Sequence, residues 1–368
     1  MMCSANWIEP AFITGDLVWI VYTLSTIYGL CVGSFLNVVG LRLLKDEGFV
    51  LKPSYCPQCN TPLRWFHNIP VFSYLFLGGK CSVCKTPISI QYPLIELLTA
   101  GLFCLIVWQF GVGWGSLALL WLIANLVVIL ITDIKESLIF TLNAYLAVPV
   151  GLLANALGIL PKSVSYLIWY PSWLSEADTF FGFPFWSALA GVVGFFLAFE
   201  AIIWGSRLVV GEDGFGHGDT LLLMMIASFM GWEMTLGTLV VGGAIQAIAS
   251  FPYLIFKWAK EKQTKLLALM GTAIAVVGGS AYLNYLAPSG MTIMADGRPQ
   301  QWILWLNGGL LVGTMVLMTF ILKEVRKQEA FTSLPFGPAL IAGAFVMLFF
   351  GQPWLAKAVY FIENFRLF

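Results

Sequence analysis

Two short stretches, "CPQCNTPL" from Cys56 and "CSVCKTPI" from Cys81, are copies of one pattern: Cys-x-x-Cys, a polar residue, Thr-Pro, then an aliphatic. Each such knuckle bends two thiolates toward one point, and two knuckles complete a tetrahedral sulfur shell suited to Zn²⁺. Cys56, Cys59, Cys81 and Cys84 are therefore the predicted metal ligands. Protein fills all four positions, so the site is expected to be closed and structural. The other reading is a pair of redox or unliganded Cys-x-x-Cys motifs; the duplication and a cytosolic setting hostile to disulfides favour zinc.

A second chemistry rests on carboxylates in apolar surroundings: Asp133 in "LITDIKES", Asp219 in "GHGDTLLL" and Glu200 in "FFLAFEAIIW". Charged groups at or within a bilayer are costly and are functional candidates by default. Each also has a plainer role. Asp219 could cap its helix, Asp133 could be a solvated boundary acid beside Lys135, and Glu200 could reach a polar neighbour. Glycines shift the balance for Asp219. A cap needs one Asp, not Gly211, Gly214, Gly216 and Gly218 ahead of it. That spacing lets a backbone approach closely, and a peptide extended beside Gly216, Gly218 and Asp219 would need the room. Glu200 is expected to face the bundle interior near such a groove, since Arg207, two turns on, is too far along the axis for a simple pair.

The elements that must position these groups are membrane spans. With 59% hydrophobic and 10% charged residues and a mean hydropathy of +0.86, the 368-residue chain carries more apolar surface than a soluble domain could hide. Zero net charge gives no reason to expect nucleic acid as a partner. Apolar runs occur near 17–41, 95–111, 114–132, 139–160, 184–206, 219–232, 235–257, 266–286, 302–322 and 336–353. The first lacks a basic lead-in and is expected to be a retained span. Alternate threading puts most basic residues, from Arg42 to Lys327, on one side, and Lys162, Arg298, Lys357 and Arg366 on the other. By the positive-inside bias the N-terminus lies outside, the cysteine segment is cytosolic, and Asp133 and Asp219 share the cytosolic membrane level.

The expected fold is an all-α polytopic membrane protein of roughly ten transmembrane helices with a small cytosolic zinc-binding domain. Its parts are an N-terminal transmembrane segment (1–44), the zinc domain (45–94), a membrane core carrying the acids (95–257), an inserted pair of transmembrane helices (258–330), and a final transmembrane helix with the C-terminus (331–368).

Taken together these residues resemble the type IV prepilin peptidases, membrane aspartic proteases with a Gly-x-Gly-Asp signature. "GSFLNVV" at 33–39, the whole cysteine block to "PLIELL", "GHGD" at 216–219 and "LPFGPAL" at 334–340 are similar to that family's motifs and keep its order. The resemblance implies that Asp133 and Asp219 are the catalytic pair and that the membrane core is the protease. It implies a prepilin or pseudopilin precursor as partner, surrounding lipids, and the bacterial inner membrane as location. It also implies a second activity, methylation of the new N-terminus with S-adenosylmethionine; no glycine-rich nucleotide loop is visible. Glu212, Asp213 and Glu136 would supply a negative field for a basic leader. The chain departs from the pattern at Lys135 and "LIFT", where the family carries further acids, at Glu212 in place of a basic residue, and in the inserted spans.

Two other classes compete. Asp133, Asp219 and Glu200 could form a proton or cation relay in a transporter, although no inverted repeat of interrupted spans is visible. A secretion scaffold with silent acids is the third.

Overall fold

A computed structural model describes residues 16–45, 47–48, 53–161, 164, 183–210, 216–260, 272 and 335–366. The chain divides into two units, Met1–Gly243 with Pro335–Leu355, and Ala244–Leu334 with Ala356–Phe368. The expected spans at 266–286 and 302–322 belong to the second unit and, Thr272 apart, lie outside the described residues.

The described helices are α1 (Asp16–Leu43), α2 (Phe72–Phe76), α3 (Gln91–Phe110), α4 (Trp114–Glu136), α5 (Thr141–Ala156), α6 (Phe183–Val210), α7 (His217–Lys260) and α8 (Gly337–Arg366). Among the described residues, five stretches, Leu17–Leu43, Gln91–Phe110, Trp114–Glu136, Pro184–Leu208 and His217–Ser250, are long and apolar enough to cross a membrane. Thr141–Ala156 and Gly337–Gly351 are apolar but shorter. The protein is thus a helical membrane protein.

Two elements differ from the sequence expectation. The run expected at 139–160 ends as a helix at Ala156 because Gly158 takes a left-handed φ of 61°. The Gly158 and Ile159 amides then donate back to the Asn155 and Ala154 carbonyls at 3.1 Å each, which closes the helix end. The runs expected at 219–232 and 235–257 form one element, α7, broken at Gly231 (φ 74°, ψ 174°), a conformation open to glycine. That break takes backbone carbonyls out of the helical ladder, and Asn155 Nδ2 satisfies two of them, donating to Ser228 O at 2.8 Å and Phe229 O at 3.3 Å.

Helix α4 is the central post, packed on α1, α3 and α5. Its Leu119, Leu122, Ile123, Leu126, Val127 and Ile129 are fully buried. On α7, Leu222, Met225, Ile226 and Phe229 follow the helical repeat and bury one face completely. In lipid this burial gains little from water expulsion, so close packing and hydrogen bonds carry the association. Small residues make it possible. In "GSFLNVV" a Cβ at Gly33 would stand 2.9 Å from Glu96 Cα, so α1 and α3 meet backbone to backbone. Gly343 of α8 lies equally close to α7, where a Cβ would stand 2.6 Å from Thr238 O.

Candidate active site and metal centre

Between α1 and α3, residues 53–90 form a small module around the two knuckles, each closed the same way. The Cys56 amide donates to Thr61 O and the Asn60 amide to Cys56 O; the Cys81 amide donates to Thr86 O and the Lys85 amide to Cys81 O, all between 2.8 and 3.1 Å. Asn60 and Lys85, the polar fifth residues of the repeat, take left-handed φ of 55° and 59°. One repeated sequence makes one repeated turn. The four Sγ atoms lie within 4.8 Å of one another, with Cys56 and Cys84 Sγ 3.8 Å apart. A tetrahedral shell with Zn–S near 2.3 Å needs sulfurs about 3.8 Å apart. The group could hold a metal ion, and its donor set fits zinc.

Two of the thiols, Cys59 and Cys84, are prepared as ligands while Cys56 is raised. Cys84 Sγ lies 3.2 Å from Thr86 Oγ1, and that hydroxyl together with the Thr86 amide lowers the thiol from 9.0 to about 6. Cys59 is lowered in the same way by the Thr61 hydroxyl and amide. The module is tied to the spans by buried side chains. Arg42 Nη2 donates to Pro53 O at 2.9 Å, and Glu96 Oε2 accepts the Val71 amide at 2.7 Å, holding a β-branched residue at a φ of 61°.

Asp133 and Asp219 approach from opposite helix ends. Asp133 sits in the last turn of α4, which closes when left-handed Ser137 donates its amide to Asp133 O at 2.9 Å. Asp219 sits in the first turn of α7, its amide bonded to Gly216 O at 3.1 Å. The two carboxyl groups are within electrostatic reach of each other. Asp133 is buried and Asp219 half-buried.

Glycine makes the approach possible on two sides. A Cβ at Gly218 would stand 2.9 Å from Ile139 Cβ, and one at Gly337 would collide with Asp133 Oδ2 while standing 3.6 Å from Ile139 Cδ1. The Gly337 amide faces the Asp133 carboxyl group. Ile139, in the α4–α5 connection, is thus the common floor for the starts of α7 and α8.

The other expected site residues distribute as follows. Gly216 is exposed and Gly218 half-buried beside Asp219, and Glu136 is exposed at the end of α4. Glu212 and Asp213 lie outside the described residues. Glu200 is half-exposed, with Oε1 2.9 Å from His217 Nδ1, while Arg207 Nη2 approaches His217 Nε2 at 3.4 Å. The imidazole supplies the link that Glu200 and Arg207 cannot make directly.

Sequence reading passed over His217, Asn143 and Thr220. Among the described residues, the buried side-chain polar atoms without a hydrogen-bond partner are Asp133 Oδ2, Asn143 Nδ2 and Thr220 Oγ1. All three belong to the end of α4, the first turn of α5 and the first turn of α7. Buried polar atoms are almost always paired, so this concentration marks the locality. No local pattern announces Asn143 or Thr220; "LPFGPAL" did point to Gly337.

Comparison with known proteins gives the family. Residues 27–110 match the family described as the bacterial peptidase A24 N-terminal domain. A protein of Aeromonas hydrophila named prepilin leader peptidase/N-methyltransferase is 31% identical over 295 residues, 73% of this chain and 92% of the relative. One of the same name from Myxococcus xanthus is 30% identical over 341 residues, 90% of this chain and 91% of its own. A third, from Pseudomonas aeruginosa, is 33% identical over 251 residues, 62% and 79%. No solved structure matches.

Proposed function

Because the chain belongs to the prepilin leader peptidase/N-methyltransferase family, we propose that it cleaves the leader peptide of a type IV prepilin or pseudopilin precursor with an aspartate dyad, Asp133 and Asp219. The observation that carries this reading is the meeting of two carboxyl groups from opposite helix ends, among buried polar atoms that protein leaves unpaired.

In the proposed reaction one carboxylate takes a proton from water while the other, protonated, donates to the scissile carbonyl oxygen. The hydroxide equivalent adds to the carbonyl carbon, the C–N bond breaks, and the departing amine takes up a proton from the dyad. We assign the base role to Asp219, at the positive end of the α7 dipole, and the shared proton to Asp133, at the negative end of α4. The pair titrates as one unit, so the assignment concerns its dominant microstate. Gly216 and Gly218 leave room for an extended peptide, and Glu136, with Glu212 and Asp213, supplies the field that draws a basic leader.

We place the dyad at the cytosolic face of the bacterial inner membrane, with the N-terminus outside and the cysteine module in the cytosol. Basic residues such as Arg42, Arg64, Lys80, Lys85 and Lys135 support that orientation. Cys56, Cys59, Cys81 and Cys84 would hold one structural Zn²⁺, which would join the two knuckles and supply no step of the cleavage. We also propose the domain division expected from sequence: an N-terminal transmembrane segment at 1–44, a zinc domain at 45–94, a protease core at 95–257, inserted spans at 258–330 and a final span with the C-terminus at 331–368.

The relatives' shared name carries N-methyl transfer as well. The N-terminal domain match covers residues 27–110. Its buried polar side chains are already engaged: Asn37 donates to Tyr92 O and accepts from Gln91, and Glu96 holds the Val71 amide. They assign no site to S-adenosylmethionine, and no step is derived through it.

The experiment mixes the purified chain in lipid vesicles with a prepilin and follows the shortened product. Stoichiometric cleavage at the leader junction supports the proposal. Intact prepilin, together with proton or cation flux across the same vesicles, would favour the transporter reading.

A further inference from the structure

The connection from α6 to α7 runs only from Val210 to His217. Three side chains meet across it. Glu200 Oε1 lies 2.9 Å from His217 Nδ1, and Arg207 Nη2 lies 3.4 Å from His217 Nε2. Along α6, Glu200 and Arg207 are separated by about 10 Å of helix rise, so they cannot pair directly. The imidazole fills that gap.

The geometry also selects a tautomer. Guanidinium nitrogens only donate, so Nε2 facing Arg207 must accept, and Nδ1 carries the proton that it donates to Glu200. The contacts run from guanidinium through imidazole to carboxylate, so the histidine links two groups of opposite charge. His217 opens α7, whose first turn also holds Asp219 with its amide on Gly216 O. That turn is therefore held twice: by the His217 bridge to α6, and by Gly218 seated on Ile139.

We propose that Glu200 and His217, with Arg207 behind them, form a latch that fixes the first turn of α7 and so sets Asp219 against Asp133. They are positioning residues; none of them is a reacting group. The latch accounts for a mid-span carboxylate, Glu200, that the dyad does not use. Neither side chain is fully covered by protein, with 54% of the histidine and 36% of the glutamate side chain exposed. The latch acts by geometry, by fixing where the first turn of α7 stands. The proposal rests on the peptidase reading.

The test uses the full chain in lipid nanodiscs, with prepilin cleavage and amide hydrogen exchange measured side by side. Glu200→Leu and His217→Leu should each lower kcat about tenfold, with KM within about twofold, as expected for a misplaced reacting group. The double variant should lose no more than the worse single one, because both remove the same link. Glu200→Gln keeps an acceptor oxygen for Nδ1–H and should stay within about threefold of the parent. Amide exchange over residues 217–222 should quicken in both Leu variants and stay parental in Glu200→Gln. Parental kcat in both Leu variants, additive losses in the double, a Gln variant as impaired as Leu, or unchanged exchange over 217–222 would each overturn the latch. An inactive Asp219→Asn beside those results would leave the peptidase reading standing. Parental cleavage by Asp219→Asn would sink that reading instead, and the exchange measurement would then decide the latch alone.

Discussion

Gly337→Ala adds one methyl group where α8 begins, and that methyl would overlap Asp133 Oδ2. The overlap is on the order of 1 Å inside ordinary contact. Ile139 Cδ1, at 3.6 Å, limits the methyl's retreat on the other side. Asp133 is 4% exposed, and its main chain is fixed by the closing bond of α4, so its carboxyl group must shift from its place beside the Gly337 amide. A misplacement of about 1 Å at a reacting group costs roughly 10²-fold in rate, or about 2.7 kcal/mol of barrier. The fold should survive, because alanine is the better helix former by up to about 1 kcal/mol. The assay is steady-state prepilin cleavage in vesicles, beside the thermal midpoint of the same preparation. Expected are a kcat about 100-fold lower, a KM within about twofold and an intact midpoint. Gly101→Ala, whose added methyl meets nothing within 4 Å, is the control and should behave as the parent. Parental kcat in Gly337→Ala would refute the placement of Asp133 at the reacting centre.

Purified protein should contain about one zinc per chain, and Cys81→Ser should release it and open residues 53–90 to proteolysis; metal near zero in the parent would contradict the metal centre. The plot of log zinc affinity against pH should steepen by about one proton below about 6, where Cys84 regains its proton. Its thiol is depressed from 9.0, so it is already a thiolate at neutral pH, and its contribution is lost only as pH falls through that range. Thr86→Val should move the break upward, and an unmoved break would reject the role of that hydroxyl. Asn155→Leu removes the donor to the Ser228 and Phe229 carbonyls at the α7 break and should cost about 1–3 kcal/mol of stability. Chemical unfolding in mixed micelles measures it; a parental value would mean the break is satisfied without Asn155.

The features legible in sequence were local or repeated. "CPQCNTPL" and "CSVCKTPI" predicted their shared turn and the convergence of four sulfurs, since identical short-range bonds follow from identical short sequences. The helix-end positions of Asp133 and Asp219 were readable for a similar reason: apolar runs end where charge and glycine begin. What failed to show was long-range or depended on one backbone torsion. Hydropathy located both halves of α7 but could not tell a loop from a break at Gly231, because a single left-handed glycine leaves no trace in an apolar average. Glu200 and Arg207 looked unrelated along one helix because their common partner, His217, arrives from the next. Gly337 lay within a motif already singled out, yet its contact with Asp133 joins residues far apart in sequence and needed the fold to appear.

The central claim is that Asp133 and Asp219 act together on one peptide bond. Prepilin processing by Asp133→Asn and Asp219→Asn, each in the same lipid and with the same zinc content as the parent, tests it most directly. Both variants should remain folded in the membrane and yield no shortened product. Parental processing by either one would contradict the dyad.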